Sequence, residues 1–141
     1  MKQAQRTLNV RTQGRGLYEV TAQVRGIVRE AGIGTGLCVV FCRHTSASLL
    51  IQENADPSAR RDLEAWLERM APDGDPRYTH DSEGSDDMAS HLRSVMTRTS
   101  EVIPVAGGEL VLGTWQGLYL AEHRRRSHNR SLLVHVMGET A

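Results

Sequence analysis

The sequence lacks the features that mark several classes of protein. Its 17 basic and 17 acidic side chains cancel to a formal net charge of zero, so no overall positive field would draw the chain to nucleic acid or anionic lipid. No apolar run approaches the roughly 18 residues of a membrane-spanning helix, and the start of the chain lacks the apolar stretch of a secretory signal. We therefore expect a cytoplasmic protein with no nucleic-acid partner and no membrane partner.

Cysteines and aromatic residues are also scarce. The two cysteines, Cys38 and Cys42, lie in the run GLCVVFCRH, whose length and β-branched content predict a strand. Four residues along a strand span roughly 13 Å, whereas disulfide-bonded cysteines need Cα atoms within about 7 Å of each other. We expect two reduced thiols, buried or half-buried. A lone catalytic thiolate is the less favoured alternative.

The first part of the chain alternates strand and helix patterns. Polar and apolar residues alternate over 5–13, which predicts a half-buried strand. Apolar residues then recur at three- and four-residue steps over 17–31, as in an amphipathic helix that the following glycines would end. The runs 36–44 and 46–52 predict two further strands joined at a polar corner. The length suits one domain over 1–141.

The rest of the chain predicts two more helices and a β-rich last third. One helix is capped by Asp56 and closed by Pro72, and a shorter one covers 88–98. Four strand candidates follow, at 100–106, 109–116, 117–125 and 130–138. The glycine pair between the first two is typical of a hairpin turn. We expect an antiparallel meander within an α+β fold that combines a large antiparallel β-sheet or sandwich with two to three helices.

The stretch YTHDSEGSDDMASH concentrates imidazole and carboxylate groups. Asp87 and His91 lie four residues apart, so they share one face of a helix that starts near Asp87. His80 and Glu83 precede them on a glycine-containing turn that can fold back toward the same point. Mixed nitrogen and oxygen ligands favour zinc or a neighbouring transition metal over calcium. The alternative is a helix-capping cluster with solvated histidines.

Two further segments place polar residues at predicted strand ends. RHTSAS sets His44 beside hydroxyl groups that suit phosphate binding, although a histidine in such a place is more often a turn residue. GTWQGLYLAEHRRR holds Gln116 at a tight backbone corner, where an amide can recognise the polar edge of a heterocycle, and sets His123 next to Arg124. Arg15, between two glycines, is another candidate for anion binding.

Five segments together resemble the YjbQ family, also called the secondary thiamine-phosphate synthase family. They are HTSASL, ENADP, YTHDSEGSDDMASH, GTWQGLYLAEHR and the terminal GE, and they follow the family's order over nearly the whole chain. The resemblance implies a compact α+β fold assembled as a homotrimer. One position departs from the family pattern, because Ala89 stands where a proline is usual, and proline would stiffen the first helical turn.

The resemblance also implies a function. Members of the family look able to join an aminopyrimidine pyrophosphate to a thiazole phosphate with loss of pyrophosphate, which predicts a metal-dependent enzyme acting on a phosphorylated small molecule. A metal-dependent hydrolase and a non-catalytic trimer that binds a metabolite or metal are the alternatives. Several imidazoles suit zinc better than magnesium. We therefore expect a divalent metal as cofactor, zinc in preference to magnesium.

Residue chemistry and the resemblance together assign three sets of candidate site residues. The expected metal ligands are His44, His80 and His91. The expected catalytic residues are His123, which would move a proton, and Asp87 and Glu83, which would bind the metal or support its ligands. The expected substrate-binding residues, with the arginines as phosphate clamps, are Arg15, Ser46, Ser48, Asn54, Gln116 and Arg124.

Overall fold

Eight strands and three helices make up the structure, a computed structural model that describes residues 1–141. The strands are β1 Lys2–Arg11, β2 Gly16–Glu19, β3 Ile33–Cys42, β4 Ala47–Glu53, β5 Ser100–Ala106, β6 Glu109–Leu110, β7 Gln116–Glu122 and β8 Asn129–Thr140. The helices are α1 Thr21–Ala31, α2 Pro57–Met70 and α3 Asp87–Met96. None of the helices has the length and apolar character that crossing a membrane requires.

The strands form two sheets in which every pairing is antiparallel. One sheet has five strands in the order β1-β8-β3-β5-β6, and the other has three in the order β2-β7-β4. The predicted α+β fold with a large antiparallel component is confirmed. The predicted meander is wrong, because β7 leaves the sequential order and pairs between β2 and β4. β8 then returns to lie between β1 and β3 in the larger sheet.

The main core fills the space between the two sheets and α1. Val24 and Val28 of α1 belong to one buried cluster with Val40 of β3 and Leu120 of β7. A smaller cluster, which includes Tyr119, lies on the other face of the three-stranded sheet against residues of α2. β7 is therefore covered on both faces, which explains why its sequence is almost continuously apolar rather than alternating.

Two predicted elements have different bounds in the structure. The helix expected from residue 17 begins at Thr21, because Leu17 belongs to β2 and pairs with Ala121 of β7. The strand expected over 109–116 stops at Leu110. The hairpin between β5 and β6 does form, since the glycine pair at the turn adopts positive φ angles.

Both cysteines are free and buried, as the sequence predicted. They lie on the core-facing side of β3, where burial raises the pKa of the Cys38 thiol and of the Cys42 thiol to about 11. A thiol with so high a pKa supplies almost no thiolate at neutral pH. The alternative of a catalytic cysteine is therefore not supported by these surroundings.

Candidate functional site

Three potential metal ligands meet at the N-terminal turn of α3. Asp87 is the first residue of the helix, His91 lies one turn later on the same face, and His80 folds back from the preceding loop. Oδ2 of Asp87 lies 2.7 Å from Nε2 of His80 and 3.1 Å from Nε2 of His91. All three ligand atoms lie within 4.8 Å of one another. We call these residues the histidine cluster.

Arg124 fixes the acidic side of the histidine cluster. Its guanidinium donates to Oδ2 of Asp86 at 3.1 Å, to Oδ1 of Asp87 at 2.6 Å and to the backbone carbonyl of Glu83 at 3.0 Å. The two carboxylate oxygens of Asp87 therefore have different partners: Oδ1 faces Arg124, and Oδ2 faces the two histidines. Burial raises the pKa of Asp87, but the hydrogen bond from His80 and the charges of His91 and Arg124 outweigh burial and leave that pKa below its ordinary value.

The hydrogen bonds of His91 indicate what its ring requires. Nδ1 lies 2.9 Å from the backbone carbonyl of Thr45, and a carbonyl only accepts, so Nδ1 carries the hydrogen. The neutral ring would then point the lone pair of Nε2 at the carboxylate of Asp87 from 3.1 Å, which is repulsive. A positive centre must lie between these two atoms, either a proton on Nε2 or a metal ion.

The histidine cluster is open to solvent on its imidazole side. The side chain of His80 is 46% exposed and that of His91 is 29% exposed, whereas that of Asp87 is only 5% exposed. A cavity of about 280 Å³ adjoins His80, and a second of about 610 Å³ adjoins His91. A bound ion would therefore keep access to water or to another ligand while its carboxylate ligand stays buried.

His44, the third imidazole predicted to bind metal, does not join this cluster. Its Nε2 accepts a hydrogen bond of 2.8 Å from the backbone N–H of Ser131 in β8, which uses the lone pair that a metal would need. Burial and the nearby Arg130 charge lower the pKa of His44, so the ring is neutral at physiological pH. The structure corrects this prediction, because the bond to β8 occupies Nε2 of His44, although the residue lines the same cavity as His91.

A second charged cluster is buried inside the fold. Glu122 at the end of β7 forms an ion pair with Arg130 of β8 through both carboxylate oxygens. Thr12 donates to Oε1 of Glu122 at 2.7 Å, and the backbone N–H of Arg124 donates to Oε2 at 3.2 Å. Burial raises the pKa of Glu122, but the bonds from Arg130 and Thr12 outweigh it and leave that pKa below its ordinary value. We call these residues the buried cluster.

Sequence reasoning missed the arginines that complete the interior. Every second residue of β8 from Arg130 onward faces the core, and the next three are Leu132, Val134 and Val136. A charged arginine at a core-facing strand position is the sequence signal that could have been noticed. Arg93 of α3 is 1% exposed and donates to backbone carbonyls at the C-terminal end of α2. The Leu67 carbonyl also accepts a hydrogen bond from the backbone N–H of Ala71, so Arg93 adds a side-chain donor at this end of α2 and joins the two helices.

Both arginines predicted to clamp phosphate are engaged within the chain. Arg15 donates from Nε to the carbonyl of His123 at 3.0 Å and from Nη2 to Asp73 at 2.9 Å, and its Nη1 lies 3.4 Å from Glu68. All three guanidinium nitrogens of Arg124 are likewise bonded, as described above. These bonds use three of the five N–H donors of each guanidinium, so both side chains are held in place within the chain and the phosphate clamp stays a prediction.

The other residues predicted to bind substrate lie apart from the histidine cluster. The hydroxyl groups of Ser46 and Ser48 are bonded inside the fold. Asn54 and Gln116 are exposed and bonded to neighbouring groups of the chain. Glu83, predicted to be catalytic, offers its backbone carbonyl to Arg124 and leaves its carboxylate in solvent. The structure therefore does not bring these residues together as one site.

His123, also predicted to be catalytic, is buried away from the histidine cluster. It is 2% exposed, and its Nε2 lies 2.8 Å from Oγ of Ser48. Burial and the positive charge of Arg93 lower the pKa of His123 to about 3. The ring is therefore neutral at physiological pH and lies apart from the three clustered ligand atoms. Its predicted role in moving a proton stays a prediction.

Comparison with known proteins finds relatives that match nearly the whole chain. A family model described as UPF0047 protein YjbQ-like matches residues 6–139. A UPF0047 protein of Synechocystis is 50% identical over 138 residues, which cover 98% of this chain and 94% of that protein. The UPF0047 protein YjbQ of Escherichia coli O157:H7 is 40% identical over 136 residues, covering 96% and 98% of the two chains.

Solved structures share the fold. The crystal structure of a hypothetical protein from Aeropyrum pernix K1 matches with a TM-score of 0.89 at 29% identity, covering 96% of this chain and 99% of that one. A YbjQ-like protein from Sulfolobus solfataricus P2 matches with a TM-score of 0.85 at 24% identity, covering 97% and 99% of the two chains. The second likeness concerns the fold alone.

These comparisons correct the predicted function. The family that matches is UPF0047, whose relatives in Synechocystis and Escherichia coli are described by family membership without an activity. The protein from Sulfolobus solfataricus is described as being of unknown function. None of these relatives is described as a thiamine-phosphate synthase or as a metal-dependent enzyme, so the prediction of such an activity is wrong.

Proposed function

The chain belongs to the YjbQ-like UPF0047 family, and we propose that it is a metal-binding protein whose histidine cluster holds one divalent transition-metal ion. The ligands would be Nε2 of His80, Oδ2 of Asp87 and Nε2 of His91. The observation that carries the proposal is the close approach of these three atoms, all within 4.8 Å of one another, at the open end of a helix.

The donor set fits zinc better than magnesium. Zinc binds imidazole nitrogen and carboxylate oxygen at about 2.0–2.2 Å in a tetrahedral arrangement, which sets neighbouring ligand atoms about 3.3 Å apart. The distances from Asp87 to His80 and His91, 2.7 Å and 3.1 Å, need to open by only a few tenths of an ångström. Magnesium prefers an octahedral shell of oxygen ligands. Two imidazoles therefore favour zinc or a neighbouring transition metal.

Contacts around the ligands also suit a metal site. Ligating histidines usually donate the second ring N–H to a carbonyl or carboxylate, which fixes the tautomer and the ring orientation. His91 has such a bond to the carbonyl of Thr45. Arg124 holds the far oxygen of Asp87 and keeps the near oxygen aimed at the imidazoles. An ion between His91 and Asp87 would also remove the repulsion that a neutral His91 would otherwise meet.

Calorimetric titration of chelator-treated protein tests the proposal. We expect one Zn²⁺ per chain and no heat from Mg²⁺ at the same concentrations. The His91→Ala and Asp87→Asn variants should each weaken zinc binding by at least about 100-fold, because even residues that only support a ligand contribute 10–100-fold. His135→Ala is the matched control, since His135 lies on the larger sheet bonded to two glutamines; its zinc affinity should equal that of the wild type.

The pH dependence of zinc binding has a definite sign. A metal ion at Nε2 of His91 occupies the position that a proton would take, so zinc binding should weaken as the pH is lowered from 7.5 to 5.5. Asp87 contributes little to this dependence, because its pKa lies below the ordinary value. Equal zinc affinity in the wild type, His91→Ala and Asp87→Asn would contradict the proposal, because neither residue would then be a ligand.

A homotrimer, a phosphorylated ligand and a cytoplasmic location stay predictions. For the homotrimer we propose a particular surface, the outer face of the five-stranded sheet. Leu37, Phe41 and Val102 are 43%, 45% and 55% exposed there, and their cross-strand neighbours include Leu133 and Met137. Adjacent apolar rows of this kind mark contact surfaces more often than free ones. The mass of the protein in solution decides whether copies of the chain associate.

A further inference from the structure

A cavity of about 350 Å³ lies between α2 and the three-stranded sheet, apart from the histidine cluster. Leu17 of β2 and Ala121 of β7 supply apolar wall. Its charged lining residues are Arg15, Arg61, Arg93, Glu64, Glu68 and Glu122. These three positive and three negative side chains balance, so the cavity has no net charge that would select an anion or a cation.

His123 lines this cavity, and the chain itself determines where the ring carries its hydrogen. Thr97 donates its hydroxyl hydrogen to the carbonyl of Arg93 at 2.9 Å. The Ser48 hydroxyl, which lies within hydrogen-bond distance of the Thr97 hydroxyl, must therefore donate to it. Ser48 then accepts from the ring, so Nε2 of His123 carries the hydrogen and the bond is 2.8 Å long.

The remaining nitrogen of this ring can accept a hydrogen bond. Nδ1 of His123 holds a lone pair in this neutral tautomer, and the side-chain hydrogen bond of the ring is made by Nε2. Nδ1 is not one of the buried side-chain atoms that lack a partner, so this acceptor is accessible to water or to a ligand in the cavity that His123 lines. It is also a durable acceptor, because the lowered pKa keeps the ring neutral.

We propose that this cavity binds a small uncharged molecule with an apolar body and one O–H or N–H donor, such as a phenol, and that the donor bonds to Nδ1 of His123. The apolar walls and the balanced charges select the neutral body, and the unpaired nitrogen selects the donor. The Ser48 and Thr97 hydroxyl groups are positioning groups, because they fix the tautomer of the ring without facing the ligand's donor.

Phenol and anisole form a matched pair of probes for wild-type protein treated with chelator. They share the ring and the oxygen, but anisole has a methyl group where phenol has the donor hydrogen. Titration followed by NMR should show phenol shifting the ¹⁵N resonance of Nδ1 of His123 and binding about tenfold more tightly than anisole. Equal binding of the two probes, or no change at residues lining the cavity, would overturn the proposal.

Two variants separate the nitrogens of the ring. His123→Gln places an amide N–H near the position of Nε2 and removes the acceptor at Nδ1, so the preference for phenol over anisole should disappear. His123→Asn places a polar atom near the position of Nδ1 and should keep part of the preference. The same preference in His123→Gln as in the wild type would contradict the proposal.

The tautomer can also be measured directly, which keeps the proposal testable if a variant fails to fold. Long-range ¹⁵N–¹H spectra of the wild type should show a neutral His123 ring protonated at Nε2. Protonation at Nδ1 instead would overturn the proposal, because the ring would then present a donor and not an acceptor. The spectrum does not depend on bound metal, so its outcome is independent of the zinc titration.

Discussion

Asp87 and Glu122 are both buried carboxylates surrounded by basic side chains, but their partners differ in kind. Glu122 accepts hydrogen bonds from Arg130, from Thr12 and from a backbone N–H, and each of these groups carries a hydrogen. Asp87 accepts from Arg124 on Oδ1 and from His80 on Oδ2, but Oδ2 also faces Nε2 of His91, which carries no hydrogen when that ring is neutral. One cluster is complete within the chain, and the other requires an additional positive centre.

Residue type alone does not separate a structural cluster from a binding cluster. Each cluster contains acidic and basic groups with a histidine nearby. His44 was predicted to belong to the histidine cluster, but it lies beside the buried cluster. The two clusters differ in whether each carboxylate oxygen faces only groups that carry a hydrogen. The hydrogens on each nitrogen therefore distinguish a structural cluster from a binding cluster, which a sequence motif does not.

The largest expected effect belongs to the complete cluster. Glu122→Gln keeps the shape of the side chain but leaves the buried Arg130 without its counter-charge, so the free energy of unfolding should fall by about 3–5 kcal/mol. Denaturant unfolding at pH 7 measures it. Glu139→Gln, an exposed change of the same chemistry, should shift the free energy by less than about 0.5 kcal/mol.

The stability difference between Glu122→Gln and the wild type should depend on pH in one direction. The folded-state pKa of Glu122 lies below its value in the unfolded chain, so the wild type has its full advantage above the unfolded pKa of about 4.3. The advantage is lost as pH falls through the folded-state value. A difference that stayed constant down to pH 2 would mean that the charge of Glu122 is not what stabilises the buried cluster.

An intermediate effect is expected where the two clusters meet. Arg124→Gln removes the bonds that hold Asp86 and Asp87, so zinc affinity should fall by about tenfold while the ligands themselves remain. Arg126→Gln is the matched control, because it removes the same charge nearby from an exposed side chain. Equal losses in both variants would show that the overall field matters and that the bonds to Asp87 do not.

The smallest effect on zinc binding is expected at His44. His44→Ala should leave zinc affinity within about twofold of the wild type, since Nε2 of His44 is bonded to Ser131 and is not a ligand. Stability should fall by about 1 kcal/mol, because the Ser131 N–H loses its acceptor. His80→Ala makes the contrast, because it removes a proposed ligand and should weaken zinc binding by at least about 100-fold. A large loss of zinc affinity in His44→Ala would show that His44 does bind the metal.

Local patterns predicted the features that depend on neighbouring residues. Helical periodicity located α1, α2 and α3, and the four-residue spacing of Asp87 and His91 placed them on one helical face. The place of β7 between β2 and β4 was missed, because strand pairing joins residues far apart in the chain. His44 was misassigned for the same reason, since its surroundings depend on how β3 pairs with β8.

The end of β7 places Glu122, His123 and Arg124 in three different surroundings: the buried cluster, the cavity beneath α2 and the histidine cluster. Inserting or deleting a single residue there would move each side chain into its neighbour's surroundings. The loop between α2 and α3 is tied to the same strand end, because Arg124 holds Asp86 and the backbone of Glu83. A change of one residue in the length of this strand end should therefore disturb all three surroundings at once.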